Sequence, residues 1–131
     1  MVQYVSTGSK LWTIQLSAEV AIWLVTCHND LTAVEQVSVR FERIFGLLER
    51  SGTAVGLPWV RPIHGYDGLW EMRVRHPTGA YRLFFGIKGN VIAVAQGAWK
   101  NDEKFRSSVY DRAKEAVDSF LATIPEQGGQ P

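Results

Sequence analysis

The chain predicts an α+β domain, a small antiparallel sheet preceded by two helices and followed by one. Three observations carry that class. Between residues 69 and 98, three short apolar-rich runs are separated by the turn signals Pro77-Thr78-Gly79 and Lys88-Gly89-Asn90. Ahead of them lie two stretches whose apolar residues recur every three or four positions, and a third such stretch follows from Ser107. With 131 residues, 46% of them hydrophobic and five of them tryptophan, the chain can bury one core but not two.

Taken in order, Leu11–Leu16 reads as a strand. Ser17 then stands as an N-cap, with Ala18 and Glu19 in the first turn and Val20, Trp23, Leu24 and Cys27 forming an apolar stripe. Asn29-Asp30 breaks this helix. Thr32–Glu35 has the form of a capping box and opens a longer helix. Its inward positions are Val34, Val37, Phe41, Ile44, Phe45 and Leu48, while Glu35, Gln36, Glu42, Arg43, Glu49 and Arg50 point mostly to solvent; Ser51-Gly52 stops it. A loop rich in proline and glycine leads into the meander. There Leu69–Arg75 alternates, placing Trp70, Met72 and Val74 on one face and Glu71, Arg73 and Arg75 on the other. Ala80–Gly86 and Val91–Ala98 supply the second and third runs.

The last helix begins near Ser107 and buries Val109, Ala113, Val117 and Phe120; Pro125 ends it. The expected organisation is a single domain over residues 1–124 and a disordered tail over 125–131. The element order is β-α-α-β-β-β-α. The two N-terminal helices should cover one face of the sheet, leaving open the face that displays Arg73 and Arg82.

Several function classes fall away on composition. A lone Cys27 in an apolar helical stretch reads as a buried thiol and rules out an internal disulfide framework. His28, His64 and His76 lack ligand spacing, which argues against a structural metal. The start lacks the charged and apolar segments of a signal peptide, and no stretch approaches the ~20 apolar residues of a membrane span. The expectation is a soluble, cytoplasmic protein with no membrane contact. Net charge is only +1, but the charge is unevenly placed. Residues 57–106 hold eight basic side chains, Arg61, Arg73, Arg75, Arg82, Lys88, Lys100, Lys104 and Arg106, against Asp67, Glu71, Asp102 and Glu103. A positive field over the meander makes a nucleic acid the first partner to test.

Four segments in order carry a resemblance: Leu57-Pro58, Gly68-Leu-Trp-Glu-Met-Arg73, Ala80-Tyr-Arg-Leu-Phe-Phe85 and Gly97-Ala-Trp-Lys100. Together they resemble the RelE/ParE toxin superfamily, most nearly its HigB-like, phage-derived branch, over roughly residues 11–122. That resemblance implies a RelE-like fold and the toxin of a type II toxin–antitoxin system. Such a toxin acts as a ribosome-dependent mRNA endoribonuclease that needs no cofactor or metal. Its implied partners are the ribosome, mRNA and a cognate antitoxin of the helix-turn-helix kind.

The chemistry would be attack of the substrate 2′-OH on the adjacent phosphorus, which requires a positioned phosphate, neutralised equatorial oxygens and two proton transfers. Arginine suits the first two tasks, since its planar fork binds phosphate bidentately and stays charged. Arg73 and Arg82, on neighbouring strands, are the leading catalytic candidates. Lys100 at the sheet edge, Lys104 beyond it and His64 before the first meander strand are candidates for charge stabilisation or proton transfer. Arg61, Arg75 and Trp99 are candidates for holding substrate, Trp99 by stacking on a base. Tyr81 and Trp70 read as core residues, and Tyr110 as core packing before base stacking.

After Lys100 the chain reads Asn101-Asp102-Glu103, where the superfamily commonly has a second lysine. That thinned basic loop supports an alternative. The chain could be a toxin-like binding protein without nuclease activity, either gyrase-poisoning or a degenerate toxin kept for binding an antitoxin.

Overall fold

The computed structural model describes residues 2–4, 11–28, 36–77, 79–100 and 107–126, with the side chains of 2–4, 27, 28, 78 and 100 outside the description. The strands are β1 (Val2–Tyr4), β2 (Thr13–Leu16), β3 (Val60–Pro62), β4 (Trp70–His76), β5 (Gly79–Lys88) and β6 (Val91–Lys100). The helices are α1 (Ala18–His28), α2 (Val37–Ser51), which runs into a 3₁₀ turn over Gly52–Val55, and α3 (Ser107–Ala122). Among these elements the strands form one sheet in the order β1-β2-β6-β5-β4-β3.

The mixed α+β class is as the sequence predicts, and the β4-β5-β6 meander falls where the turn signals put it. The sheet itself departs from the expected small antiparallel one in two ways. It gains β1 and the three-residue edge strand β3. It is also mixed, because β2 pairs parallel with β6, Ile14 opposite Ile92 and Leu16 opposite Val94. The reason is connectivity. After β2 the chain crosses α1, α2 and three further strands before β6 arrives beside it, so no hairpin constrains its direction.

Strand alternation divides the core. Ile14, Leu16, Met72, Val74, Leu83, Phe85, Ile92 and Val94 face α1 and α2 and join Val20, Phe41, Ile44, Phe45 and Leu48 in one buried cluster. The Ser17 hydroxyl accepts the Val20 N–H at 3.2 Å, the N-cap that opens α1. Thr32–Glu35, the expected capping box of the next helix, lies outside the described residues, and the described helix begins at Val37. Glu49, expected outward, is fully buried. The chain entering β2 crosses the end of α2 here, the Leu11 and Trp12 amides donating to the Glu49 carbonyl at 2.9 and 3.0 Å, and this covers the position.

The opposite face is not left open. Helix α3 lies on it, packing Ala113 and Val117 against Phe84, Ala95, Leu69 and Ile63. Helix α3 comes close because Gly86 has no side chain: a Cβ there would meet Val117 Cγ1 at 2.6 Å and Leu121 Cδ1 at 2.9 Å. Gly97 does the same for the other face, where a Cβ would strike the Trp23 indole. The half of the face that α3 leaves uncovered is where the arginines stand.

Candidate functional site

The β4–β5 ladder places Arg73 directly opposite Arg82, with Arg75 opposite Ala80 and Glu71 opposite Phe84. On the other side of β4, Arg61 of β3 lies opposite Glu71. Side-chain alternation therefore brings Arg61, Glu71, Arg73, Arg75 and Arg82 onto one face, as the WEMRVR run predicts. Directly opposed residues hold their Cβ atoms about 5 Å apart, so Arg73 and Arg82 confront each other with like charge. A counter-ion is needed, and Glu71 supplies it.

Glu71 is 1% exposed. Its Oε1 accepts a hydrogen bond from Arg61 Nε at 2.7 Å, and its Oε2 stands 3.7 Å from Arg82 Nη1. Oε2 accepts no hydrogen bond among the described residues. Arg82 is itself only 7% exposed, a correction to the surface position expected of it. Arg73 differs from it, being half-buried and reachable from solvent. Burial and the adjacent Arg75 guanidinium hold its pKa below the ordinary arginine value, with Arg82 and Arg61 pushing the same way and Glu71 opposing. Arg61 and Arg82 thus flank one carboxylate, and Arg73 and Arg75 add cations on the same face, which concentrates positive charge in a partly desolvated place. An anion with several oxygens would relieve it.

The remaining candidates are placed as follows. Position 100 ends β6 opposite Ala80, two residues along the ladder from the Arg82–Ala98 pair. Lys104 lies outside the described residues. Trp99 does not share the arginine face. It pairs with Tyr81 in register and packs against that ring at 4.6 Å and against His76 at 5.1 Å, on the α1 side of the sheet. Strand parity misleads here: Ile92 and Val94 already face the α1–α2 core, and the irregularity opposite Phe84 and Phe85 shifts the alternation so that Gly97 and Trp99 face it too. His64 is exposed in the turn between β3 and β4, past the Pro62–Trp70 pair. Three residues of strand separate Trp70 from Arg73, about 10 Å, so the ladder sets His64 apart from Arg73 and Arg82.

Lys88, counted in the positive field of the meander, serves α3. Its Nζ donates to the carbonyls of Ile124 at 2.6 Å and Leu121 at 3.3 Å and pairs with Glu126 at 3.4 Å. A cation there complements the negative end of the helix.

Tyr81 and Trp70 pack against the α1–α2 core as expected. Tyr110 is held by Tyr66 at 5.7 Å and Phe84 at 6.0 Å. The Tyr66 hydroxyl donates to Asp111 Oδ1 at 2.8 Å. That hydrogen bond raises the Tyr66 pKa above its ordinary 10.0. A wider groove of about 590 Å³ lies apart from the arginines, between the start of α1, Gln96 and α3. Arg112, Glu19 and Glu115 line it with mixed charge, and no set of like groups converges there as on the β4–β5 face. Among the described residues there is no cluster of three or more histidine, cysteine or carboxylate side chains suited to a metal, and no helix is long and apolar enough to cross a membrane.

Fold and site together define a mixed-sheet α+β domain that presents clustered arginines beside its last helix. Residues 29–118 match the family described as Phage derived protein Gp49-like (DUF891), and the chain belongs to that family. It is a toxin-like family associated with RelE/ParE-like toxins. No curated protein and no solved structure matches the chain.

Proposed function

We propose that this chain is the toxin of a type II toxin–antitoxin pair, of the HigB-like branch, and that it cleaves mRNA on the ribosome. The observation that carries the reading is the opposed Arg73–Arg82 pair, in register on one face and flanked by Arg61 and Arg75. A phosphodiester seated there would meet Arg73 from solvent and Arg82 from beneath. As the substrate 2′-oxygen bonds to phosphorus and the bond to the 5′-oxygen breaks, charge grows on the equatorial oxygens, where fixed guanidiniums lower the barrier. A base takes the 2′-OH proton and an acid protonates the leaving 5′-oxygen. Lys100 and Lys104 are the proposed sources of those functions. The neutralising partner is proposed to be a helix-turn-helix antitoxin, and the site of action the cytoplasm.

A second reading has its own support. Arg82 is buried against Glu71, and His64 and His76 both stand off the arginine face. A face built this way also suits a protein that binds without cutting.

Mapping mRNA 5′ ends after induced expression decides between them. Cuts at recurrent codon positions, lost in Arg73→Ala, support the nuclease. Growth arrest without such cuts supports the binding protein.

A further inference from the structure

Beside the arginines the structure holds an aromatic that the nuclease chemistry does not use. Trp59 lies just before β3, its carbonyl accepting the Arg73 amide at 3.2 Å. The Val60–Met72 pairing makes position 59 the cross-strand neighbour of Arg73. Trp59 is 43% exposed, next to Leu57 at 70%. Leu57, Pro58, Trp59, Arg61, Glu71 and Arg73 line one narrow crevice, too tight to hold a water molecule, so a ligand here would lie over the residues and not between them.

Single exposed apolar residues need no explanation, but two adjoining ones against surplus positive charge are an unusual combination. A partly exposed indole could also mark a site where a peptide strand adds to the sheet edge. The edge is poorly made for that. Strand β3 has three residues, Pro62 has no N–H, and the Val60 N–H already donates to the Gly56 carbonyl at 3.0 Å. A flat π-face one strand away from a phosphate-binding guanidinium matches a nucleotide better, because base and phosphate are joined through a sugar of that reach.

We infer that Trp59 is a nucleobase subsite. A base of single-stranded RNA stacks on its indole while the attached phosphate rests on Arg73, with Arg61 at the side. The inference rests on the reading of the arginine face as an RNA site and adds the substrate's second anchor, on the β3 side of the arginines and not at Trp99.

The test is binding of a short fluorescent oligoribonucleotide to the full chain at low salt. The arms are wild type, Trp59→Ala, Trp59→Phe and Arg73→Ala, repeated with an oligomer carrying abasic sugars. Trp59→Ala should weaken binding of the intact oligomer about tenfold, the scale of one base–aromatic stack. Trp59→Phe should stay within about threefold of wild type, since phenylalanine keeps a π-face. The abasic oligomer should bind wild type and both Trp59 variants alike. Equal binding of the intact oligomer by wild type and Trp59→Ala overturns the subsite, as does an equal loss on the abasic oligomer. If Trp59→Ala does not fold, the Trp59→Phe variant and the intact-versus-abasic difference in wild type decide. Arg73→Ala separates the two ideas. Wild-type binding lost in Arg73→Ala but not in Trp59→Ala removes the base subsite alone. No wild-type binding removes the base subsite, while the nuclease reading is decided separately by the mapped mRNA 5′ ends.

Discussion

Strands β4 and β5 show two chemistries on opposite sides of the same backbone. On one side Met72, Val74, Leu83 and Phe85 are sealed beneath α1 and α2. On the other, Glu71, Arg73, Arg75 and Arg82 alternate with them residue by residue, half sheltered and half in water. The first face is held by area removed from water, and it tolerates no charge. The second is held by one buried carboxylate compensating several cations, and it is stable only while that balance holds. Stability and ligand affinity are thus written on different faces of one ladder, and substitutions should separate them.

The largest effect belongs to the sealed face. Phe85→Ala should cost about 3–5 kcal/mol in urea unfolding, the price of a large buried cavity. Next comes the carboxylate. Glu71→Ala removes the buried carboxylate that Arg61 and the buried Arg82 share and should cost about 3 kcal/mol by the same measurement. An unchanged midpoint in that variant would show that the arginines do not depend on Glu71. Gly97→Ala, which drives a methyl into the Trp23 indole, should cost about 1–3 kcal/mol. Arg73→Ala should sharpen the contrast most. Its stability should stay within about 0.5 kcal/mol of wild type, while oligoribonucleotide affinity falls on the order of tenfold. A matching loss of stability would mean that Arg73 belongs to the scaffold.

The smallest effect is a titration. Tyr66 has a folded-state pKa above its unfolded value of 10.0, so the stability from its bond to Asp111 is complete below pH 10 and fades as pH rises through the folded pKa. Ultraviolet titration should find one phenol ionising late in wild type. Asp111→Asn should bring it down, and Tyr66→Phe should remove the difference.

Much of this arrangement was legible in the chain. The WEMRVR alternation fixed which β4 residues share a face, and the two turn signals fixed the meander that sets Arg73 opposite Arg82. Periodicity also found α1, α2 and α3, and Ser17 as a cap. Other features depend on long-range packing that no local pattern encodes. Glu49 obeys an outward helical position yet is buried, because a distant segment, Leu11 and Trp12, runs over it. Arg82 looks like any exposed strand arginine until the ladder sets Glu71 of the neighbouring strand beside it. Lys88 looks like a loop cation until the end of α3 arrives beside it. Strand β3 is too short to show a period, so the place of Trp59 beside Arg73 emerged only from the ladder.

Lys88 and Gly86 together have a mechanical consequence. The C-terminal end of α3 is tied to β5 through the lysine and the close glycine contact, while Tyr66 ties Asp111, in its second turn, to the β3–β4 turn. A helix fastened near both ends cannot swing as a lid. In hydrogen exchange its amides should open together with those of β5, so the wall beside the arginines keeps one width whether or not a ligand is bound.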